Sequence, residues 1–134
     1  MEIVFDLESN GLHLPQYDKK KGEWMDVADR VWCICTAHVD EDIQLSYHKK
    51  ESISLCMSML DKANTLIGHN IIGYDLPLLK RLYGWEPEPS VVIIDTLILS
   101  RLLNPDRGSH SLAAWGERLG YPKGEYSDWS RYTP

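Results

Sequence analysis

The chain opens on an apolar run, Ile3-Val4-Phe5, that gives out at Asp6-Leu7-Glu8. A short run of this kind reads as a buried central strand, over residues 2–7. Leu12 to Asp29 follows as a polar connection holding Pro15, the Lys19-Lys20-Lys21 run, Gly22 and Trp24. It is long for a hairpin loop, which predicts a flexible tip or a substrate-facing flap, with the lysines solvated and Trp24 covering the sheet edge. Arg30 to Val39 is rich in Val, Trp, Ile and Cys, and Asp42 to His48 alternates Ile43, Leu45 and Tyr47. With Asp40-Glu41-Asp42 as the turn, these segments and the first strand read as an antiparallel meander.

From Glu51 the period changes. Ile53, Cys56, Met57 and Leu60 fall at i, i+3, i+4 and i+7, one stripe of a helix. Thr65-Leu66-Ile67 is a short buried strand. Asp75 opens a helix with Pro77 in its first turn and Gly84 as its stop. Val91 to Ile94 is a further strand, and Asp95-Thr96 caps a helix to about Leu103 that Asn104-Pro105 ends. A last helix, from about Ser111 to Leu119, carries Leu112, Trp115 and Leu119 on one side. Residues 123–134 show no clear element. A meander followed by alternating strands and helices predicts an α/β fold with a mixed sheet: three antiparallel strands plus two parallel ones, with helices on the faces.

The length of 134 residues fits one domain with a core of its own. A net charge of −6 rules out a generally basic surface, but not a nucleic-acid site whose carboxylates bind cations first. Cys33, Cys35 and Cys56 have no metal-finger spacing; Cys33 and Cys35 share one strand face, and free, buried thiols are expected. No stretch reads as a signal peptide or a membrane span, which predicts a cytoplasmic chain with no membrane partner.

Strand side chains repeat every two residues, so Asp6 and Glu8 point the same way, about 7 Å apart. Two carboxylates so placed repel unless a cation lies between them, and hard divalent ions favour such ligands. The plainer alternative is a strand ending in a polar turn at Asn10-Gly11. The second informative stretch is Gly68-His69-Asn70-Ile71-Ile72-Gly73-Tyr74-Asp75. Asp75 is a natural helix N-cap, and it also falls near the carboxyl end of a strand neighbouring the first. Ligands of such sheets gather there. Tyr74 is expected in the core and Asp95 as a cap. His69, Ser109 and His110 are expected in capping or loop hydrogen bonds rather than a hydrolase triad.

With these residues in place the chain resembles the proofreading 3′→5′ exonuclease domain of phage-type family A DNA polymerases, of the ribonuclease H-like superfamily. Asp6-Leu7-Glu8 matches the first exonuclease motif, and Asn70-x-x-x-Tyr74-Asp75 the second. Asp95 to Leu102, Gly108 to Gly120 and Lys123-Gly124-Glu125-Tyr126 resemble the connecting segments. The resemblance implies two Mg²⁺ or Mn²⁺ ions held by Asp6, Glu8 and Asp75, the catalytic acids. Asp6 would bridge both ions, Glu8 would meet the terminal 3′-hydroxyl, and Leu7, Leu12 and Asn70 would bind the substrate. That substrate would be a single-stranded or frayed DNA 3′ end.

The sequence departs from this family at the third motif. A Tyr-x-x-x-Asp helix should follow a segment like Tyr126 to Pro134, and the chain stops first; Tyr121-x-x-x-Glu125 lies in a Pro/Gly segment instead. The expectation is a single exonuclease-like domain, residues 1–134, without that helix or a polymerase module, and weakly active alone. An alternative is an inactive or split module that binds DNA ends or a polymerase and needs a second polypeptide to complete it. A ribonuclease using the same acids is a further reading.

Overall fold

The computed structural model describes residues 1–124. Glu125 and the Tyr126 to Pro134 segment lie outside the described residues. The elements in chain order are β1 (Glu2–Ser9), β2 (Gln16–Asp18), β3 (Glu23–Met25), β4 (Val31–His38), β5 (Gln44–Tyr47), α1 (Lys50–Leu60) and β6 (Thr65–Gly68). A π-helical turn (Ile71–Asp75), α2 (Leu76–Tyr83), β7 (Val92–Asp95), α3 (Thr96–Leu103) and α4 (Leu112–Leu119) complete them. β1, β4, β5, β6 and β7 form one sheet in the order β5-β4-β1-β6-β7. β4 and β5 are antiparallel to their neighbours, and β6 and β7 run parallel to β1. The mixed sheet expected from the sequence is thus present, with β1 at its centre.

Alternation along β1 decides which way the sheet faces. Ile3, Phe5 and Leu7 enter the core, with Ile34, Leu66, Ile53, Cys56 and Leu60 from β4, β6 and α1, and Leu78 and Leu79 from α2. The fully buried Phe5 removes about 2–3 kcal/mol worth of apolar surface from water. The other face carries Val4, Asp6 and Glu8. There Val4 stands in register with Ala37 and Ile67, and Ile67 with Ile94, an apolar row crossing four strands.

Helix ends follow local chemistry. Asp95 accepts from the Leu97 N–H at 3.0 Å and Ser111 from the Ala114 N–H at 3.1 Å, as N-caps should. Gly84 and Gly120 close α2 and α4 in the left-handed conformation. Asp75 differs from expectation: it precedes α2, but its side chain makes no capping bond.

Three further expectations are corrected. The connection from Leu12 to Asp29 contains a two-stranded ribbon, β2–β3, turned at Gly22 (φ +68°). Trp24 on that ribbon is 66% exposed rather than laid over the sheet edge. Cys33 and Cys56 are buried, but Cys35, the register partner of Asp6, is exposed. No helix among the described residues is long and apolar enough to cross a membrane.

Candidate active site

β1 runs further than its parallel neighbour. Its pairing with β6 ends at Val4↔Ile67, so Asp6 and Glu8 extend past the carboxyl end of β6. Gly68 ends β6 under Phe5: a Cβ there would meet the Phe5 carbonyl at 2.8 Å and Ile71 at 2.2 Å. Only glycine lets the chain turn this tightly against β1. Asn70 then takes the left-handed conformation, φ 61°, which asparagine tolerates better than most residues. The π-helical turn carries the chain round to Asp75.

Asp95 holds that turn in place. Its carboxylate accepts from the Asn70 N–H at 2.8 Å and the Ile72 N–H at 3.0 Å, besides capping α3. The cap is legible in the sequence; this second duty is not. Its one signal is an acid at the end of the neighbouring parallel strand. His69 bonds Thr96 Oγ1 at 3.0 Å and His110 bonds Ser100 Oγ at 2.7 Å, the loop contacts expected of them.

Asp75 is 2% exposed, and it is delivered to the backbone of β1, where the Leu7 N–H donates to its carboxyl. Its Oδ2 has no hydrogen-bond partner among the described residues. Burial, then the charge of Asp6 and that of Glu8, push its pKa up to about 8. Asp6 and Glu8 are also raised, first by desolvation; Glu8 is raised further by Asp6. Lys123 acts on both in the opposite sense. This lysine, just after α4, belongs to the site's electrostatics, although in the sequence it stands only as part of a connecting segment.

The three acids named from the sequence are therefore neighbours at one end of the sheet, close enough for Asp75 to feel the charge of both Asp6 and Glu8, and Glu8 that of Asp6. Among the described residues, no three His, Cys, Asp or Glu side chains form a ready-made cation cage. The donor set fits a hard divalent ion all the same. It is all carboxylate oxygen, it suffers from its own repulsion, and it holds one buried oxygen without a partner among the described residues.

The residues named as substrate contacts divide. Leu12 is half-buried and lines a cavity of about 580 Å³ together with Glu8, Gly11, Lys21, Trp24 and Tyr74. Asn70 is exposed at the entry to the π-helical turn. Leu7 is the exception: its side chain is 4% exposed in the core, on the face opposite Asp6 and Glu8, because strand alternation sends it there. Only its backbone reaches the site. Tyr74, expected in the core, is half-buried; its hydroxyl donates to the Gly11 carbonyl at 2.8 Å and bonds Ser9, tying the exit of β1 to the π turn.

No family model matches the chain. It is 34% identical, over a 90-residue alignment taking in 50% of the chain, to the DNA-directed DNA polymerases of Escherichia phage T7 and Enterobacteria phage T3. The aligned part is 13% of the length of each polymerase. Among solved structures it is similar to Brucella melitensis NrnC bound to pGG and to the same protein with bound Mg²⁺. Each has a TM-score of 0.62 and 21% identity, covering 96% of this chain and 58% of NrnC. The fold is thus ribonuclease H-like, and in sequence the chain is a partial relative of the phage polymerases.

Proposed function

We propose that this chain is a metal-dependent 3′→5′ exonuclease domain that removes nucleotides from DNA 3′ ends in the manner of a proofreading site. The observation that carries the reading is Asp75: a buried carboxyl with a free oxygen, folded against the strand that bears Asp6 and Glu8. Excess negative charge of this kind is costly in a fold unless a cation or a proton relieves it. The partial relatedness to phage DNA polymerases supports the same reading, as does the likeness to a protein solved with Mg²⁺.

Asp6, Glu8 and Asp75 would hold two Mg²⁺ or Mn²⁺ ions. Bound there, such ions supply a water activated at neutral pH and neutralise charge on the departing oxygen. The chain's own residues supply the rest. Asp95 and Gly68 fix the turn that presents Asp75. Tyr74, kept protonated by burial, holds the Ser9–Gly11 corner with its hydroxyl. Leu12 offers an apolar wall to a terminal base, and Asn70 an amide to the terminal nucleotide. Preference for frayed ends follows from energy: a mismatched terminus unpairs at lower cost and reaches the cleft more often. A fourth acid from outside the described residues, or from a polymerase or other partner polypeptide, would complete the site.

The test is release of mononucleotides from 5′-labelled single strands with Mg²⁺ or Mn²⁺, on matched DNA and RNA. Progressive shortening of DNA from the 3′ end, lost in Asp6→Asn, supports the proposal. Shortening of RNA alone moves the substrate to RNA. Cleavage that survives Asp6→Asn and metal chelation removes the proposal altogether.

A further inference from the structure

The β2–β3 ribbon is built against the exit of β1 too closely to be a loose flap. The Leu12 N–H donates to the Asp26 carbonyl at 2.9 Å, and the Ala28 N–H to the Leu12 carbonyl at 2.7 Å. Gly11 packs so tightly beneath that a Cβ there would lie 2.5 Å from the Asp26 carbonyl. At the tip, Asp18 Oδ1 accepts from the Lys20 and Lys21 N–H groups at 2.9 and 3.1 Å, which fixes the turn and the backbone from which Lys21 projects. Trp24 meets Tyr17 edge-on, ring centroids 5.5 Å apart, and remains 66% exposed. An indole that meets one ring in a T-shaped contact and stays mostly exposed offers a stacking surface.

That surface opens on the cavity that Glu8 also lines, about 580 Å³, within the roughly 300–1,000 Å³ range of ligand sites. Lys21 is the cation among its lining residues, and Glu23 and Asp26 are acids on the same wall. The charge arrangement sorts what can enter. A phosphate is welcome at Lys21 and unwelcome beside Glu23 and Asp26, the acids either side of Trp24 in the chain, so a flat, uncharged group suits Trp24. We propose that the ribbon is a nucleobase platform. Trp24 stacks on a base upstream of the terminal nucleotide, and Lys21 meets a neighbouring phosphate of the same single strand. This deepens the exonuclease reading and rests on it for the direction of the strand. Stacking is tolerant of base identity, so the platform would bind single strands with little sequence preference.

The test is equilibrium binding of fluorescein-labelled oligodeoxythymidylate, two and six nucleotides long, to the full chain in Ca²⁺, with cleavage in Mg²⁺ measured in parallel. Trp24→Ala is expected to weaken the hexanucleotide about tenfold or more and the dinucleotide far less, with Trp24→Phe restoring most of the loss. Lys21→Gln should weaken the hexanucleotide at every base composition and lower the salt slope by about one. Because Trp24 and Lys21 are exposed, thermal unfolding should be unchanged. Wild-type binding of the hexanucleotide with no loss in Trp24→Ala overturns the platform and leaves the exonuclease reading standing. Loss in Trp24→Ala from a wild type that binds but does not cleave, even with a polymerase or other completing polypeptide added, keeps the platform and removes the exonuclease.

Discussion

On one face of β1, Ile3, Phe5 and Leu7 are 0, 1 and 4% exposed, packed under α1 and α2. On the other, Val4 is 38% exposed, and Asp6 and Glu8 are exposed beside a thiol-bearing strand. The same eight residues make both faces. The packed face fixes the register, since a slip of one position would send Phe5 into water and Asp6 into the core. The acids inherit their position from that register. The open face is therefore free to carry a charge arrangement that the fold by itself would disfavour.

The largest way to break this contrast is Phe5→Ala. Loss of a fully buried aromatic should lower stability by about 3–5 kcal/mol, seen as a lower urea midpoint. The metal-free protein should next show an unusual pH response. Asp75's folded pKa, about 8, lies above its unfolded value, so its contribution is fully present below about pH 4 and is lost as pH rises towards 8. A loss of a few kcal/mol over that window in chelator is expected. Asp75→Asn should flatten it and Mg²⁺ should reverse it; a slope indifferent to both would show that the pKa of Asp75 is not raised in the fold.

Glu8→Gln sharpens the comparison from the other side. Cleavage should fall at least about a hundredfold, roughly 2.7 kcal/mol, while thermal stability is level or slightly raised. Asp95→Asn should cost about 1–3 kcal/mol, because amides that now share a carboxylate lose their strong acceptor. Smallest of all is the double change of Leu102 and Leu103 to Ser on α3. Both are more than 70% exposed, so stability should move by no more than about 0.5 kcal/mol while light scattering reports less self-association.

The central features are legible in the sequence because they repeat. Two-residue alternation marks β1 and tells Asp6 and Glu8 from the core, and a four-residue stripe marks α1. Asp95 and Ser111 announce helix starts through capping chemistry. The features that escape have no period to betray them. The ribbon strands are three residues each, too short for alternation to show among lysines and glycine. The turn at Ile71–Asp75 looks like a helix start, since its wider winding is set by Asp95 from another strand. Leu7 enters as a substrate contact only through the motif that contains it, although alternation already sends its side chain opposite Asp6 and Glu8; Cys35 is exposed while Cys33 on the same face is buried, a difference that alternation cannot show.

The five-residue turn before α2 also makes this cleft sensitive to counting rather than to chemistry. Each residue added to or removed from a helix swings the downstream side chains by about 100°. A single-codon insertion or deletion between Ile71 and Tyr74 could leave every acid intact in the gene and still point the third carboxyl away from its companions. Length variation at this spot should accordingly be far rarer among working versions of the chain than amino-acid replacement.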